Sequence, residues 1–384
     1  MAKLGDICTI QSGGTPSRSN KDYWDNGTIP WVKISDFSGK YLDHTSEKIT
    51  QAGLDGSSAK IFPKGTILYT IFATLGETCI LDIDATTNQA IAGLKLNDDS
   101  VLLDYLYYYL LSKKEYVNEI GRGVAQNNIN MKILREMEIG IPPKEEQDKI
   151  TDVLNKVYEL IALRKEQLAK LDQLVKSRFI ELFGDCLTNP KGWKTKHLED
   201  IAEVGSSKRV FVEDLKETGI PFYRGTEVGA LAEGKPINPE LFITEEHYSE
   251  LCEATGTPRI GDLLMPSICP DGRIWVVNSD EPFYFKDGRV LWVHNIDASY
   301  NSIFLLYTLK DRIMTDYSSI ASGTTFAELK IFALKKCRIF DVPLAMQNEF
   351  ATFIKQTDKS KLAIQQSLEK LELLKKSLMQ EYFG

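Results

Sequence analysis

Two stretches of the chain repeat an apolar residue every seven positions. In the first stretch the column runs Leu154, Ile161, Leu168, Val175, Leu182. A second, partly apolar column lies three residues further on, and this pattern predicts an amphipathic helix whose seam packs against another helix. Pro142-Pro143 before the stretch and Gly184 after it are typical of helix boundaries. The sequence therefore predicts one long, exposed helix between these residues.

The second stretch matches the first at a constant offset of 200 residues. Nine of 17 positions are identical between 168–184 and 368–384, and the column here runs Phe350, Thr357, Ile364, Leu371, Leu378. Earlier in the chain the offset drifts: Ile29-Pro30-Trp31 corresponds to Ile220-Pro221-Phe222 at an offset of 191. The chain is therefore two copies of one unit of about 190 residues, each a globular part followed by a helical tail.

We predict four consecutive segments, with globular parts at 1–143 (head 1) and 186–342 (head 2) and helices at 144–185 and 343–384. An amphipathic helix of this length must bury its seam, so we expect the two helices to pair in antiparallel orientation. The alternative is that each helix folds back on its own head. The apolar positions expected to serve helix pairing and partner docking are Leu154, Ile161, Leu168, Leu171, Leu174, Val175, Ile364, Leu368, Leu371, Leu374 and Leu378.

The heads mix strand and helix patterns. Strands are predicted at 65–71, 273–277 and 290–293, and helices at 102–120 and 303–314. Four tyrosines of the first helix favour helix packing over a surface for stacking bases; they are Tyr105, Tyr107, Tyr108 and Tyr109.

The net charge of −8 and the pI of about 5.3 exclude a protein that is basic over its whole surface. Residues 1–143 carry 14 basic and 17 acidic side chains, and 144–184 carry eight of each. Any binding to a polyanion must therefore come from a few basic residues in particular loops.

The six cysteines and four histidines lie far apart and form no CxxC pair. This spacing indicates neither a zinc site nor a disulfide framework, so we expect reduced core thiols in a cytoplasmic protein. No apolar run approaches the roughly 20 residues that a bilayer requires, and no apolar leader follows Met1. We expect no membrane segment, no metal and no cofactor.

Familiar catalytic motifs are missing. The chain has no GxxxxGK[ST] loop, no GxGxxG after a strand, no HExxH and no Asn-Pro-Pro-aromatic tetrapeptide of the DNA amino-methyltransferases. These absences favour a non-catalytic protein. A cryptic hydrolase or nuclease site is the alternative, and turnover by the isolated chain would reveal it.

Three runs of the first half resemble a known family. They are SGGTPSRSNKDYWDNGTIPWVKISD (12–36), FPKGTILYT (62–70) and GVAQNNINMKILREMEIGIPPKEEQDKI (123–150). Together with the repeat they are similar to the specificity (S) subunits of type I restriction–modification systems, over the whole chain. Head 2 departs from the motifs, with 205–209 (GSSKR) in place of the GGTP loop and 323–326 (GTTF) in place of GVAQ.

The resemblance implies an α+β fold in which two pseudo-repeated target-recognition domains are joined by two long antiparallel coiled-coil helices. It implies that each domain reads one half of a bipartite, asymmetric double-stranded DNA target. The helices would set the spacing and dock two methyltransferase (M) subunits, and restriction/translocase (R) subunits would join for cleavage. A two-headed scaffold that binds protein or glycan instead of DNA remains the alternative, and the acidic net charge favours it.

Arg and Lys read guanine, Asn and Gln read adenine, and Ser and Thr hold phosphates. On that chemistry the DNA-contact candidates of head 1 are Thr15, Ser17, Arg18, Lys33, Ser35, Gln89, Gln126, Asn127 and Asn128. Those of head 2 are Ser207, Lys208, Arg209, Tyr223, Arg224, Arg273, Thr324 and Thr325. Arg224 falls at the Lys33 position when the two copies are aligned at the offset of 191.

Overall fold

In the described part of head 1, nine of the ten strands come before residue 103, where a series of three helices begins. The computed structural model describes residues 1–122, 128–323 and 327–384. In chain order the elements up to residue 143 are β1 (Ala2–Lys3), α1 (Leu4–Ile7), β2 (Cys8–Ser12), β3 (Ile29–Val32), β4 (Tyr41–Leu42), β5 (Glu47–Ile49), α2 (Gln51–Asp55), β6 (Ile67–Thr70), β7 (Thr78–Leu81), β8 (Thr86–Thr87), β9 (Ile91–Leu96), α3 (Leu103–Ser112), α4 (Lys114–Arg122), α5 (Met131–Glu136) and β10 (Glu138–Ile139). The first long helix, α6 (Lys144–Phe183), follows.

Head 2 repeats this order with insertions. Its elements are β11 (Thr195–His197), β12 (Glu203–Gly205), β13 (Ile220–Tyr223), α7 (Gly225–Ala232), β14 (Phe242–Ile243), α8 (Glu245–Thr255), β15 (Leu263–Pro266), β16 (Trp275–Val276), β17 (Tyr284–Phe285), β18 (Val290–His294), α9 (Ser302–Ile320), β19 (Ala321–Ser322), β20 (Glu328–Leu329), α10 (Ile331–Lys335) and β21 (Arg338–Phe340). The second long helix, α11 (Leu344–Phe383), completes the chain.

The two heads share one sheet topology. The larger sheet has the order β2-β9-β6-β7-β4 in head 1 and β12-β18-β15-β16 in head 2. A smaller sheet has the order β5-β3-β8 in head 1 and β14-β13-β17 in head 2, and in both the central strand pairs in parallel with the last strand of that order. The repeated topology confirms the prediction of two pseudo-repeated mixed heads.

One predicted helix was wrong in its extent. The expected helix over 102–120 is two helices, α3 and α4, separated at Lys113. The apolar pattern continues through the break because Leu110 and Val117, one on each side of it, enter the same core. The four tyrosines of α3 are 1–6% exposed, which confirms helix packing as their role.

The long helices pair in antiparallel orientation. The chain forms two compact units: unit 1 contains 1–166 and 365–384, and unit 2 contains 167–364. In unit 1 Lys165 contacts Glu372 at 3.1 Å, and Lys375 lies 5.6 Å from the Tyr158 ring centre. In unit 2 Arg178 contacts Glu349 at 2.6 Å and Lys361 contacts Asp172 at 2.5 Å. In both units the residue number falls along one helix as it rises along the other.

The predicted seam residues differ in burial. Leu154, Ile161, Val175 and Leu368 are buried, at 0–9% exposure. Partly buried positions are Leu168, Leu171, Ile364, Leu371 and Leu378. Leu174 and Leu374 are 49% and 45% exposed, so these two positions do not belong to the buried seam. Each comes directly before a residue that is turned inward, the buried Val175 in α6 and Lys375, which reaches the Tyr158 ring, in α11. Consecutive residues of a helix point about 100° apart, so Leu174 and Leu374 are turned away from that direction.

Each long helix is fixed to its head by a buried glutamine at the same place in the repeat. Gln147 accepts a bond from the Leu102 amide and donates to the carbonyls of Ser100 and Pro142, each at 2.8 Å. Gln347 accepts from the Asn301 amide at 2.8 Å and donates to Ser299 and Val342 at 3.1 and 2.9 Å. Both glutamines are completely buried.

None of the six cysteines is paired with another in the structure; five of them are buried and Cys252 is partly exposed. Among the helices of the described residues, none combines the length and the apolar content that crossing a bilayer requires.

Candidate nucleic-acid interface

In each head a basic residue follows the central strand of the smaller sheet. In head 1 Lys33 follows β3, and the Asn88 amide, just after the parallel strand β8, donates to the Val32 carbonyl at 3.2 Å. In head 2 Arg224 follows β13, and the Lys286 amide, just after β17, donates to the Tyr223 carbonyl at 2.9 Å. Because parallel strands end at the same edge, these polar residues meet at one place in each head.

Lys33 and Arg224 also occupy the same backbone position. Each precedes a helical turn, and the backbone amide of each donates to the acidic residue three positions later. The distances are 2.8 Å from Lys33 to Asp36 Oδ2 and 2.7 Å from Arg224 to Glu227 Oε2. Such a bond satisfies an amide at the start of a helix. The two residues aligned by the sequence repeat are therefore structurally equivalent.

The GGTP loop of head 1 packs tightly against the end of β8. The Gly14 amide donates to the Thr87 carbonyl at 2.8 Å. A Cβ at Gly13 would lie 1.9 Å from Thr87 Oγ1, and one at Gly14 would lie 2.4 Å from the Ser58 carbonyl carbon. Only glycine fits at these two positions, so they determine where the residues after them lie.

Head 2 docks its different loop in the same place. The Ser207 hydroxyl donates to the Phe285 carbonyl at 2.6 Å, and the Lys208 amide donates to the Tyr284 hydroxyl at 3.0 Å. Phe285 ends β17 as Thr87 ends β8. A side-chain bond therefore replaces the backbone bond that holds the GGTP loop.

The two predicted cations of head 1 share one carboxylate. Arg18 Nη1 donates to Glu47 Oε2 at 2.5 Å, and Lys33 Nζ donates to Glu47 Oε1 at 2.7 Å. The Arg18 guanidinium carbon lies 3.7 Å from the ring centre of Trp24. The structure thus brings together two residues that are 15 positions apart in sequence.

The other described candidates of head 1 have contacts or exposure of their own. The Thr15 hydroxyl donates to Gln89 Oε1, and Ser17 Oγ lies 2.9 Å from Ser19 Oγ. Ser35 is exposed in the turn after Lys33. Asn128 forms a bridge with Phe72, just after β6, at the same end of the larger sheet as the GGTP loop. Gln126 and Asn127 lie outside the described residues.

Head 2 contains a basic cavity at the corresponding edge. Its volume is about 540 Å³, and its walls combine apolar side chains such as Phe222 and Leu241 with four cations. The cations are Arg224, Arg273, Lys286 and Arg289.

These cations are held by carboxylates. Arg224 Nη2 donates to Glu227 Oε1 at 2.7 Å and to Glu240 Oε2 at 3.3 Å, and Arg273 Nε lies 2.8 Å from Asp271 Oδ2. Burial alone would raise the pKa of Glu227, but hydrogen bonds from Arg224, Thr226 and the backbone together outweigh it and lower that pKa to about 2. Glu227 is therefore ionised at neutral pH and fixes the guanidinium.

The remaining head 2 candidates differ in availability. Lys208 and Arg209 are exposed, and Arg209 lies 5.1 Å from the Phe211 ring centre. Tyr223 stacks on Phe283 with ring centres 4.8 Å apart and is partly buried. Thr324 and Thr325 lie outside the described residues.

Several residues at these sites were not predicted. Glu47 and Trp24 were missed because their relation to Arg18 depends on folding. Lys286 and Arg289 line the head 2 cavity. When β8 and β17 are aligned, Lys286 takes the place that Asn88 has in head 1. A comparison of the two copies could therefore have pointed to Lys286.

The arrangement suits recognition of an anionic or hydrogen-bonding surface. Arginine and lysine donors lie at one edge of each head, beside Gln89 in head 1 and the cavity in head 2. Nowhere in the described ranges do three or more His, Cys, Asp or Glu side chains gather in a way that could hold a metal ion.

Comparisons with known proteins identify a family that matches most of the chain. The model of the type I restriction–modification DNA specificity domain matches residues 1–173 and 190–374. The MjaIX type I restriction enzyme specificity subunit of Methanocaldococcus jannaschii is 30% identical, with 92% of this chain and 85% of that protein covered. The EcoR124I/EcoR124II specificity subunit of Escherichia coli is 26% identical, with 48% of this chain and 46% of that protein covered.

Solved structures share the fold over the full chain. The crystal structure of a type I restriction–modification S subunit from M. genitalium has a TM-score of 0.58 at 16% identity and covers 100% of this chain and 95% of that one. A chain from a structure addressing complex assembly and conformational transition of the type I system has a TM-score of 0.61 at 19% identity, with 100% and 96% covered. The family model matches the chain twice, one relative is similar over nearly the whole length, and the solved structures share the fold. The chain therefore belongs to the type I restriction–modification DNA specificity family and is a specificity subunit with two target-recognition domains.

Proposed function

We propose that each head reads one half of a bipartite, asymmetric double-stranded DNA target through the edge at which its parallel strand pair ends. The observation that carries this proposal is the duplicated position of Lys33 and Arg224, each after the same strand and each immediately before a helical turn. The donors around the two positions differ between heads, as two readers of different sequences require. The contact residues are the candidates named above, to which we add Lys286 and Arg289.

In this proposal the four segments 1–143, 144–185, 186–342 and 343–384 have separate roles. The heads read DNA, and the helices set the distance between the two half-targets. Two methyltransferase subunits dock on the chain, restriction/translocase subunits join them, and both reactions belong to these partners. The chain itself is non-catalytic.

Mapping methylated adenines in cells that carry this chain with its methyltransferase tests the reading function. We expect a split motif, and replacing 1–143 by the corresponding head of a relative should change one half only. A change in both halves, or an unsplit motif, would contradict the two-reader proposal. Phosphate contacts also require that duplex affinity fall steeply with salt concentration.

The alternative, a two-headed scaffold without DNA binding, is supported by the net charge of −8. It predicts that the complex with methyltransferase subunits does not bind duplex DNA at low salt. That single binding measurement distinguishes the two functions.

Methyltransferase docking has its own test at Leu174 and Leu374. These residues are related by the offset of 200 and are exposed in this chain, which suits two copies of one partner. The double variant Leu174→Asp, Leu374→Asp should keep the melting temperature of the isolated chain but lose co-purification with the methyltransferase. Unchanged co-purification would show that the methyltransferase docks on another surface.

A further inference from the structure

Arg18 is fixed in orientation although half of its side chain is exposed. Its guanidinium carbon lies 3.7 Å from the ring centre of Trp24 and 4.7 Å from that of Trp31, and its Nη1 donates to Glu47 at 2.5 Å. The side chain is 51% exposed. Stacking fixes the plane of the guanidinium, and the carboxylate fixes its rotation within that plane.

The two indoles are themselves bonded to the loop that carries Arg18. Trp24 Nε1 donates to the Ser17 carbonyl at 3.1 Å, and Trp31 Nε1 donates to the Gly14 carbonyl at 3.0 Å. Their rings meet edge to face, with centres 5.0 Å apart. The support for Arg18 is therefore continuous with the tightly docked glycine loop.

Glu47 is charged in this setting. Burial alone would raise the pKa of Glu47, but hydrogen bonds from Lys33 and Arg18 and the charges of both outweigh it and lower that pKa. Glu47 lies on β5 opposite Trp31 of β3, so the sheet register determines its position. One fixed carboxylate thus lies between the two cations.

We propose, on the basis of the DNA-reading function above, that Arg18 reads a guanine in the half-target of head 1 and that Glu47 and Trp24 are its positioning residues. Arginine has five N–H donors, and the bond to Glu47 occupies one. The rest form a rigid, planar fork that matches the O6 and N7 acceptors of guanine in the major groove.

The Glu47 carboxylate argues for a base edge and against a phosphate as the ligand. Glu47, which is 29% exposed, offsets part of the positive charge of Arg18 and Lys33 and so weakens their attraction for a phosphate. The edge of a guanine carries no net charge and is recognised by directed N–H donors, which Glu47 leaves in place. A flexible cation is sufficient for a phosphate contact. Reading a base requires one orientation of the donors, so a side chain that is ordered before binding loses less entropy when it binds.

Of the two positions 18 and 33 of head 1, it is the counterpart of the second that carries an arginine bound by carboxylates in head 2. Glu227 and Glu240 bind Arg224, at the Lys33 position, while Arg209, which corresponds to Arg18 at the offset of 191, lies over Phe211. The arginine clamped by carboxylates thus lies at different positions in the two heads. This suits two half-targets with guanines at different places.

The test uses the full chain with its methyltransferase subunits and selection from a library of duplexes with randomised sequence. Wild type should enrich a split motif with a guanine in the head 1 half. Arg18→Ala and Glu47→Gln should each reduce the preference at that one base pair, roughly 5- to 150-fold for the arginine. Preferences in the head 2 half should stay unchanged, which shows that each variant is folded and assembled.

Asp25→Asn is the matched control, because it removes the same charge from an exposed residue of the same head, and it should keep the guanine preference. The inference is overturned if Glu47→Gln keeps full preference at every base pair, or if Arg18→Ala weakens all duplexes equally, as loss of a phosphate contact would. If wild type enriches no motif, the DNA-reading function itself fails, and this inference fails with it.

Discussion

Two adjacent glycines determine how closely the loop that carries Thr15 and Arg18 approaches the sheet. A Cβ at either Gly13 or Gly14 would overlap atoms of the neighbouring backbone or of Thr87. Because Arg18 stacks on Trp24 and Trp31 only when this loop is docked, the glycines act on recognition without touching a ligand.

Replacement of Gly13 by alanine should therefore weaken both stability and duplex binding. The new Cβ would lie 1.9 Å from Thr87 Oγ1, and relieving that overlap should cost about 1–3 kcal/mol of unfolding free energy. Thermal denaturation and a duplex titration measure the two effects. Gly39→Ala is the control, because its Cβ would have no neighbour within 4 Å and should leave both values unchanged.

The ion pair of Glu227 with Arg224 should make stability depend on pH in the acid range. The folded-state pKa of Glu227, about 2, lies below the ordinary 4.5. The stabilisation is therefore complete above about pH 4.5 and is lost as the pH falls toward 2. Urea unfolding at several pH values should show wild type more stable than Glu227→Gln by on the order of 1–2 kcal/mol near neutrality. A difference that stays constant down to pH 3 would contradict this assignment.

The sequence could indicate the cations but not their carboxylate partners. Arg18 and Lys33 stand in a recognisable run, and Arg224 follows from the repeat. Glu47 meets them because β5 pairs with β3 in one particular register, and a register is a property of the folded sheet. Carboxylates are too frequent in this chain, at 54 Asp and Glu, for one of them to be noticed in advance.

At the scale of elements, one glutamine fixes the start of each long helix. Gln147 and Gln347 each tie the helix to the loop before α3 or α9 and to the residue two positions before the helix. Each amide makes three bonds while fully buried, so it holds the direction in which the helix leaves its head.

Gln147→Leu should strongly destabilise the fold although the two side chains are similar in size. The Leu102 amide and the carbonyls of Ser100 and Pro142 would lose their partner in a buried place, at a cost of about 2–4 kcal/mol. Denaturant unfolding measures this loss. Gln356→Leu, at an exposed position of the other long helix, should change the free energy of unfolding by less than about 0.5 kcal/mol.

The long helices could be predicted because the heptad pattern is local and uninterrupted. The break between α3 and α4 could not, since both helices face one core and their apolar residues keep a continuous rhythm. The exposure of Leu174 and Leu374 could not be predicted from the sequence either, because an apolar residue next to the heptad positions is hard to distinguish from them.

At the scale of the whole molecule, each unit contains the end of the helix that follows the other head. Phe383 packs on Tyr105 and Tyr109, with ring centres 5.2 and 6.2 Å apart. Phe183 packs on Phe304 and Phe350, at 4.8 and 5.6 Å. The identity of these two phenylalanines in the repeat was visible in the sequence, but either head could have accepted either one.

Replacing either phenylalanine by alanine should loosen the head that its helix does not directly follow. Phe383→Ala should speed amide hydrogen exchange in α3, in the first third of the chain, and Phe183→Ala should speed it in α9. Each large-to-small change in a core costs about 3–5 kcal/mol. Mass spectrometry of exchanged peptides locates the effect. If each variant loosened only the head that precedes its own helix, the pairing described for the two units would be wrong.

The make-up of the units also orders events during synthesis. Unit 2 is one continuous stretch, 167–364, whereas unit 1 needs 365–384 to join the residues made first. On the ribosome, head 1 is made first, yet unit 1 has all its residues only after every residue of unit 2 has been made. A chain interrupted before residue 365 therefore has a finished second unit and a first unit with Tyr105 and Tyr109 uncovered, an apolar surface that cellular quality control can recognise.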